Sequence, residues 1–100
     1  MPQTSKEMFK SIGDRLETTR KELNQGKEEL ENLENQLKVE SKILAVFKEK
    51  KDVLVEIQEP IVMAVQGEIM IQKDKINELE TDIKLFAKKC EVLQRNTWDF

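Results

Sequence analysis

Apolar residues recur every three or four positions along most of the chain, and this spacing restricts the fold more than any other feature. A repeat of 3.5 residues keeps one side of an α-helix against a partner helix, so it predicts a coiled coil. We call this contact line the seam. In the first half it comprises Phe9, Ile12, Leu16, Thr19, Leu23, Gly26, Leu30, Leu33, Leu37, Leu44, Phe47 and Leu54. In the second half it comprises Ile61, Val65, Ile69, Gln72, Ile76, Leu79, Ile83, Phe86, Cys90 and Leu93.

The composition supports long helices. Charged residues make up 37% of the 100 positions, with only three Gly and two Pro. High charge, apolar periodicity and few helix breakers are typical of coiled coils, whereas a disordered chain would lack the periodicity. A chain of this length holds one domain, so we predict a single all-α coiled-coil domain over residues 1–100.

Pro60 is the strongest candidate for a turn. Proline disrupts a helix interior but is well suited to the first turn of a new helix. The sequence therefore predicts an antiparallel helical hairpin with a helix over about 5–57, a turn at about 57–60 and a helix over about 60–97. Because the second helix would be the shorter one, residues up to about Arg20 would overhang and need another chain.

Two other interpretations remain open. One continuous kinked helix would carry the seam from Leu44 through Leu54 to Val65, and the four-residue step from Val65 to Ile69 would mark a slip in its register. Alternatively, the β-branched segments 53–57 and 61–65 would form strands between two helices. That helix–aliphatic–helix order resembles a prefoldin subunit, and the resemblance implies a chaperone whose apolar tips hold unfolded clients.

The stretch from Val39 to Ile71 is apolar beyond the seam. Consecutive apolar residues occur at 43–47, 53–55, 61–65 and 69–71. A helix that is apolar around so much of its circumference must be covered on several sides. The sequence therefore predicts that the hairpin assembles into a multi-helix bundle.

The residues offer little chemistry. The chain has no His and a single Cys, whereas acid–base catalysis at neutral pH most often uses His and zinc sites need several Cys or His. There is no Gly-rich phosphate-binding loop. We therefore predict that the protein is not an enzyme and has no catalytic, cofactor-binding or metal-binding residues.

Charge and hydropathy limit the partners. The net charge is −3 and the best basic run is short, so nucleic-acid binding is not expected. No apolar run is long enough to cross a membrane and no secretory signal is evident, so we expect a cytoplasmic protein, with the nucleus as an alternative. The single Cys also fits a reducing compartment.

Three functional hypotheses follow from these features. The first is a scaffold, tether or adaptor that binds itself or another helical protein. The second is a small regulator of one specific protein, and the third is the prefoldin-like chaperone subunit. The predicted interaction residues are Leu23, Leu30, Leu33, Leu37, Leu44, Phe47, Leu54, Ile61, Val65, Ile69, Ile76, Leu79, Ile83, Phe86 and Leu93, with Trp98 and Phe100 as terminal aromatic anchors.

Overall fold

The chain folds into two long helices. The computed structural model describes the backbone of residues 5–98 and the side chains of residues 6–95. Over these residues it contains α1 (Ser5–Glu49), α2 (Val55–Trp98) and no strand. The two helices pack as an antiparallel hairpin, which confirms the predicted all-α fold. The interpretations as one continuous helix and as helices separated by strands are both wrong.

The residues group into two compact units. The turn unit comprises residues 26–75, and the end unit comprises residues 1–25 and 76–100. Each unit contains one part of α1 and one part of α2. That the whole chain behaves as a single domain stays a prediction.

The seam of α1 follows the predicted spacing. Steps of four and three residues alternate from Ile12 to Phe47, and the seam positions are less exposed than their neighbours on the helix. Gly26 is buried, and the other members are half-buried: Ile12, Leu16, Thr19, Leu23, Leu30, Leu33, Leu37, Glu40, Leu44 and Phe47. This alternation is a heptad repeat in which the seam residues occupy positions a and d.

The seam of α2 is also an unbroken heptad repeat. It runs through Val55, Gln58, Val62, Val65, Ile69, Gln72, Ile76, Leu79, Ile83, Phe86, Cys90 and Leu93, all buried or half-buried. The expected slip at Val65 is therefore absent. It arose from placing Ile61 on the seam, whereas Val62 is 7% exposed and Ile61 is 38% exposed. The step from Val65 to Ile69 is an ordinary heptad step.

The helices are joined by residues 50–54, so the predicted turn at 57–60 is wrong. The N–H of Asp52 donates to the carbonyl of Phe47 (2.9 Å), and the N–H of Lys51 donates to the carbonyl of Lys48 (3.2 Å). This pair of hydrogen bonds is the Schellman motif that ends many helices. Lys51 has the left-handed φ of 53° that the motif requires.

Asp52 then begins the second helix. Its Oδ1 accepts a hydrogen bond from the N–H of Leu54 (3.0 Å), as an N-cap side chain does. The next N–H groups, of Val55 and Glu56, bond to carbonyls three residues back, at 3.2 Å each. One aspartate thus terminates α1 with its backbone and starts α2 with its side chain.

Pro60 lies inside α2 rather than at its start. Its ring nitrogen cannot donate to the carbonyl of Glu56, and both residues are exposed, where water can bond that carbonyl. The earlier turn makes the helices nearly equal, at 45 and 44 residues. The expected overhang up to Arg20 is therefore also wrong, because the Arg15 guanidinium lies 5.9 Å from the ring centroid of Phe86 in α2.

Candidate interaction surface

Two glutamines of α2 form polar contacts within the apolar seam of the turn unit. Gln58 is 6% exposed, and its Nε2 donates to the carbonyl (3.0 Å) and to the carboxylate of Glu40. Gln72 is 8% exposed, and its Nε2 donates to the carbonyl of Gly26 (2.9 Å). Glu40 therefore pairs with Gln58 across the seam.

These contacts fix how α1 and α2 align in the turn unit. Gly26 and Glu40 are fourteen residues apart in α1, and their partners Gln72 and Gln58 are fourteen apart in α2. The Gly26–Gln72 contact and the Glu40–Gln58 contact therefore correspond to the same antiparallel alignment. A shift of one helix along the other would leave the buried side-chain amides of Gln58 and Gln72 without acceptors. A buried amide without a hydrogen-bond partner costs free energy, so these two residues favour the observed alignment.

The turn unit has a polar side. The Lys48 ammonium lies 3.5 Å from the Glu59 carboxylate, and both residues directly follow a seam residue, at heptad position e. The other e positions near this pair, Ser41 and Gln66, are exposed and polar. In an antiparallel pair, the e positions of both helices lie on one side of the seam and the g positions lie on the other. The Lys48–Glu59 ion pair therefore lies on the e side of the seam, and the g positions lie on the opposite side.

The opposite side of the turn unit is apolar. It is formed by positions g and c, and we call it the flank face: Val39, Ile43 and Val46 of α1, with Leu54, Ile57 and Ile61 of the turn and α2. These six side chains are between 36% and 62% exposed. Isolated exposed apolar residues are ordinary on protein surfaces, but a set on one side of two helices makes this face the candidate interaction surface of the turn unit.

Further apolar side chains are exposed on α2, at positions b and c. Met63, Met70 and Ile71 are 68–70% exposed. Met63 and Met70 are one heptad apart, and Gly67 lies between them with open space beside its Cα. Together with the seam and the flank face, these residues make this part of α2 apolar around most of its circumference.

Among the grooves of the end unit, two have similar volumes. One has a volume of about 470 Å³ and is lined by Met8, Ile12, Leu85, Lys88, Lys89, Val92 and Leu93. The other, of about 490 Å³, is mainly polar and includes Arg15, Asp82 and Phe86. Lys89 also lies 6.0 Å from the Phe86 ring centroid. No groups of His, Cys, Asp or Glu that could hold a metal ion occur among the described residues.

Most of the predicted interaction residues face the other helix of the hairpin. Val65, Ile69, Ile76 and Leu79 are buried. Leu23, Leu30, Leu33, Leu37, Leu44, Phe47, Ile83, Phe86 and Leu93 are half-buried on the seam. Leu54 and Ile61 lie on the flank face instead, at 41% and 38% exposed. The side chains of Trp98 and Phe100 lie outside the described residues.

The seam pattern does not predict Val39, Ile43, Val46 and Ile57 as interaction residues. Their signal was present as the apolar excess between Val39 and Ile71. A separate stripe could not be predicted from this excess, because the position of the turn decides which residues of the two helices share a side.

No helix in the described part of the chain has the length and apolar character needed to span a membrane.

Comparison of the chain with protein-family models, with curated proteins and with solved structures finds no match. No relative therefore supplies a function by analogy. The exposed surfaces of the two units are the remaining guide to function.

Proposed function

We propose that the protein is a non-enzymatic coiled-coil assembly protein, a scaffold, tether or adaptor that acts by binding further helices. The observation that carries this proposal is the flank face. Its six apolar side chains occupy g and c positions of α1, the turn and α2, and each is at least 36% exposed. Apolar surface of this kind on a helix is removed from water by packing against another helix.

The seam supports the proposal indirectly. Its residues are already covered by the other helix of the same chain, so binding to a further protein must use a different surface. The flank face presents exposed apolar side chains from both helices of the turn unit, whereas the e positions carry the Lys48–Glu59 ion pair and its polar neighbours. A partner helix therefore gains most from the flank side.

Charged substitutions on the flank face test this function. In extracts of cells that produce the protein, wild type should elute as a complex larger than the 11.7 kDa chain. Replacing both Val46 and Ile57 by Glu should reduce it to a single chain, because a carboxylate without a partner cannot be buried in an apolar contact. Both positions are exposed, so circular dichroism should show unchanged helix content.

The matched control places the same two charges on the polar side. Ser41→Glu with Gln66→Glu substitutes one exposed position in each helix and should leave the complex intact. If wild type elutes as a single chain both in extracts and after purification, the assembly function is wrong. If the control variant dissociates as readily as the flank variant, the flank face is not the binding surface.

A further inference from the structure

We propose that the flank face binds the flank face of a second copy, with the two turns at opposite ends, to form an antiparallel four-helix bundle. This inference rests on the proposed assembly function and names its partner. It is carried by three features of the turn unit: the angle between flank face and seam, the extent of the face, and the charges at its two ends.

The angle indicates that two helices, rather than one, cover the face. At 3.6 residues per turn, the flank stripes of α1 and α2 lie roughly 90–110° around each helix from the seam. In a four-helix bundle each helix meets its two neighbours at about 90°, whereas a third helix lying in the groove of a pair would meet each at about 60°. Such a single helix would cover the g positions and leave Val39, Val46 and Ile57, at position c, largely in water.

The chain itself supplies a matching pair of helices. A two-fold axis places the same patch on both partners, so a face that spans two helices is covered by its own copy. Six partly exposed apolar side chains correspond to several hundred Å² on each copy. Counted on both copies, this approaches the roughly 1,200 Å² at which specific interfaces begin.

The charges at the ends of the face select the orientation. Lys50 lies seven residues after Ile43, and Glu68 lies seven residues after Ile61, so both continue the line of g positions. Because α1 and α2 are antiparallel, Lys50 lies at the turn end of the face and Glu68 at the other end. Two copies with their turns at opposite ends bring Lys50 of each near Glu68 of the other. Copies with their turns together would place like charges side by side.

The first test is the mass of the purified full chain in solution. Sedimentation equilibrium should give twice the 11.7 kDa chain mass at high concentration and dissociation on dilution. Val46→Glu with Ile57→Glu should weaken the dimer at least about a hundredfold, and Ser41→Glu with Gln66→Glu should leave it unchanged. Circular dichroism on each variant distinguishes loss of the dimer from loss of folding.

Charge reversal tests the orientation. Glu68→Lys alone and Lys50→Glu alone should each weaken the dimer roughly threefold to tenfold at low salt, because each creates like-charge pairs at both ends. An equimolar mixture of the two variants should recover wild-type affinity. In the mixed dimer, residue 50 of each copy and residue 68 of the other carry opposite charges at both ends. Copies packed with their turns together already pair like charges, so neither single variant would weaken the dimer and the mixture would bind more tightly than wild type. That result would overturn the orientation.

A purified wild-type chain that stays monomeric at all concentrations overturns the self-association. The proposed assembly function is tested separately, in cell extracts. A larger complex there that depends on Val46 and Ile57 would mean that the partner is a different helical protein. If neither the purified chain nor the extract shows a complex, both proposals are wrong.

Discussion

Lys51 illustrates how one residue determines the position of the turn. Its backbone takes the left-handed conformation that ends α1, with φ of 53°. This conformation crowds Cβ against the backbone, so Gly is the usual residue at this point of a Schellman motif. A lysine at this position does not indicate a left-handed conformation, so the residue types do not predict the connection at 50–54. Asp52, by contrast, has a residue type that commonly caps helices.

Replacing Lys51 by Gly should therefore stabilise the hairpin. Relief of the left-handed strain should raise the free energy of unfolding by about 1 kcal/mol, measured by urea denaturation. Lys50→Gly is the control. Its N–H continues the helical hydrogen bonding to Val46, so glycine there should lower stability. A loss of stability with Lys51→Gly would contradict the strain at this position.

The helix α2 illustrates how a whole element can override a local signal. Proline is strongly disfavoured in helix interiors, so the residue type at Pro60 predicts a helix boundary there. The helix nevertheless continues through it, because the residues around it are held by the seam. Val62 and Val65 are 7% and 4% exposed, and the amide of Gln58 bonds to Glu40. Packing of one face therefore compensates for one missing backbone hydrogen bond.

We expect Pro60→Ala to stabilise α2 by roughly 2–3 kcal/mol, because it restores the hydrogen bond to Glu56 and removes the ring clash. Gly67→Ala should add about 1 kcal/mol, since an added Cβ at Gly67 meets no atom within 4 Å. Thermal and urea unfolding followed by circular dichroism would measure both. Glu56→Ala, at an exposed site of the same helix, is the control and should change stability little. Unchanged or lower stability for Pro60→Ala would contradict the expected cost of proline at this position.

At the level of the whole molecule, burial differs between the two units. In the turn unit Gln58, Val62, Val65, Ile69 and Gln72 are each at most 8% exposed. In the described part of the end unit, only Ile76 and Leu79 reach comparable burial, at 8% and 9%. Less apolar burial provides less resistance to local opening.

Hydrogen exchange should therefore divide the chain into two parts. Amides of seam residues in the turn unit should be the slowest, whereas those between Ile12 and Leu23 and between Ile83 and Leu93 should exchange considerably faster. Leu33→Asp should accelerate exchange throughout the turn unit, because it places a charge on the seam. Equal protection of the two units would contradict this difference.

The sequence by itself determined that the chain forms helices and that they pair along a seam. The heptad spacing on α1 and from Val65 onward in α2 follows from the residue types alone, because only one face of a helix can be buried against a single partner. The alternation of apolar and polar positions therefore predicted that helices pair, whereas the hairpin was predicted from Pro60, which lies inside α2.

Only the tertiary structure decided where the chain turns and which residues share a side. The turn depends on the backbone conformation of Lys51, and the residue type at that position does not indicate it. Moving the turn from 57–60 to 50–54 assigns Val62 rather than Ile61 to the seam. It thereby places Ile61 beside Ile57 and Leu54, on the same side as Ile43. The flank face exists because the antiparallel alignment brings the g positions of two helices to one side of the hairpin. The sequence pattern of one helix alone does not predict which residues of the other helix share that side.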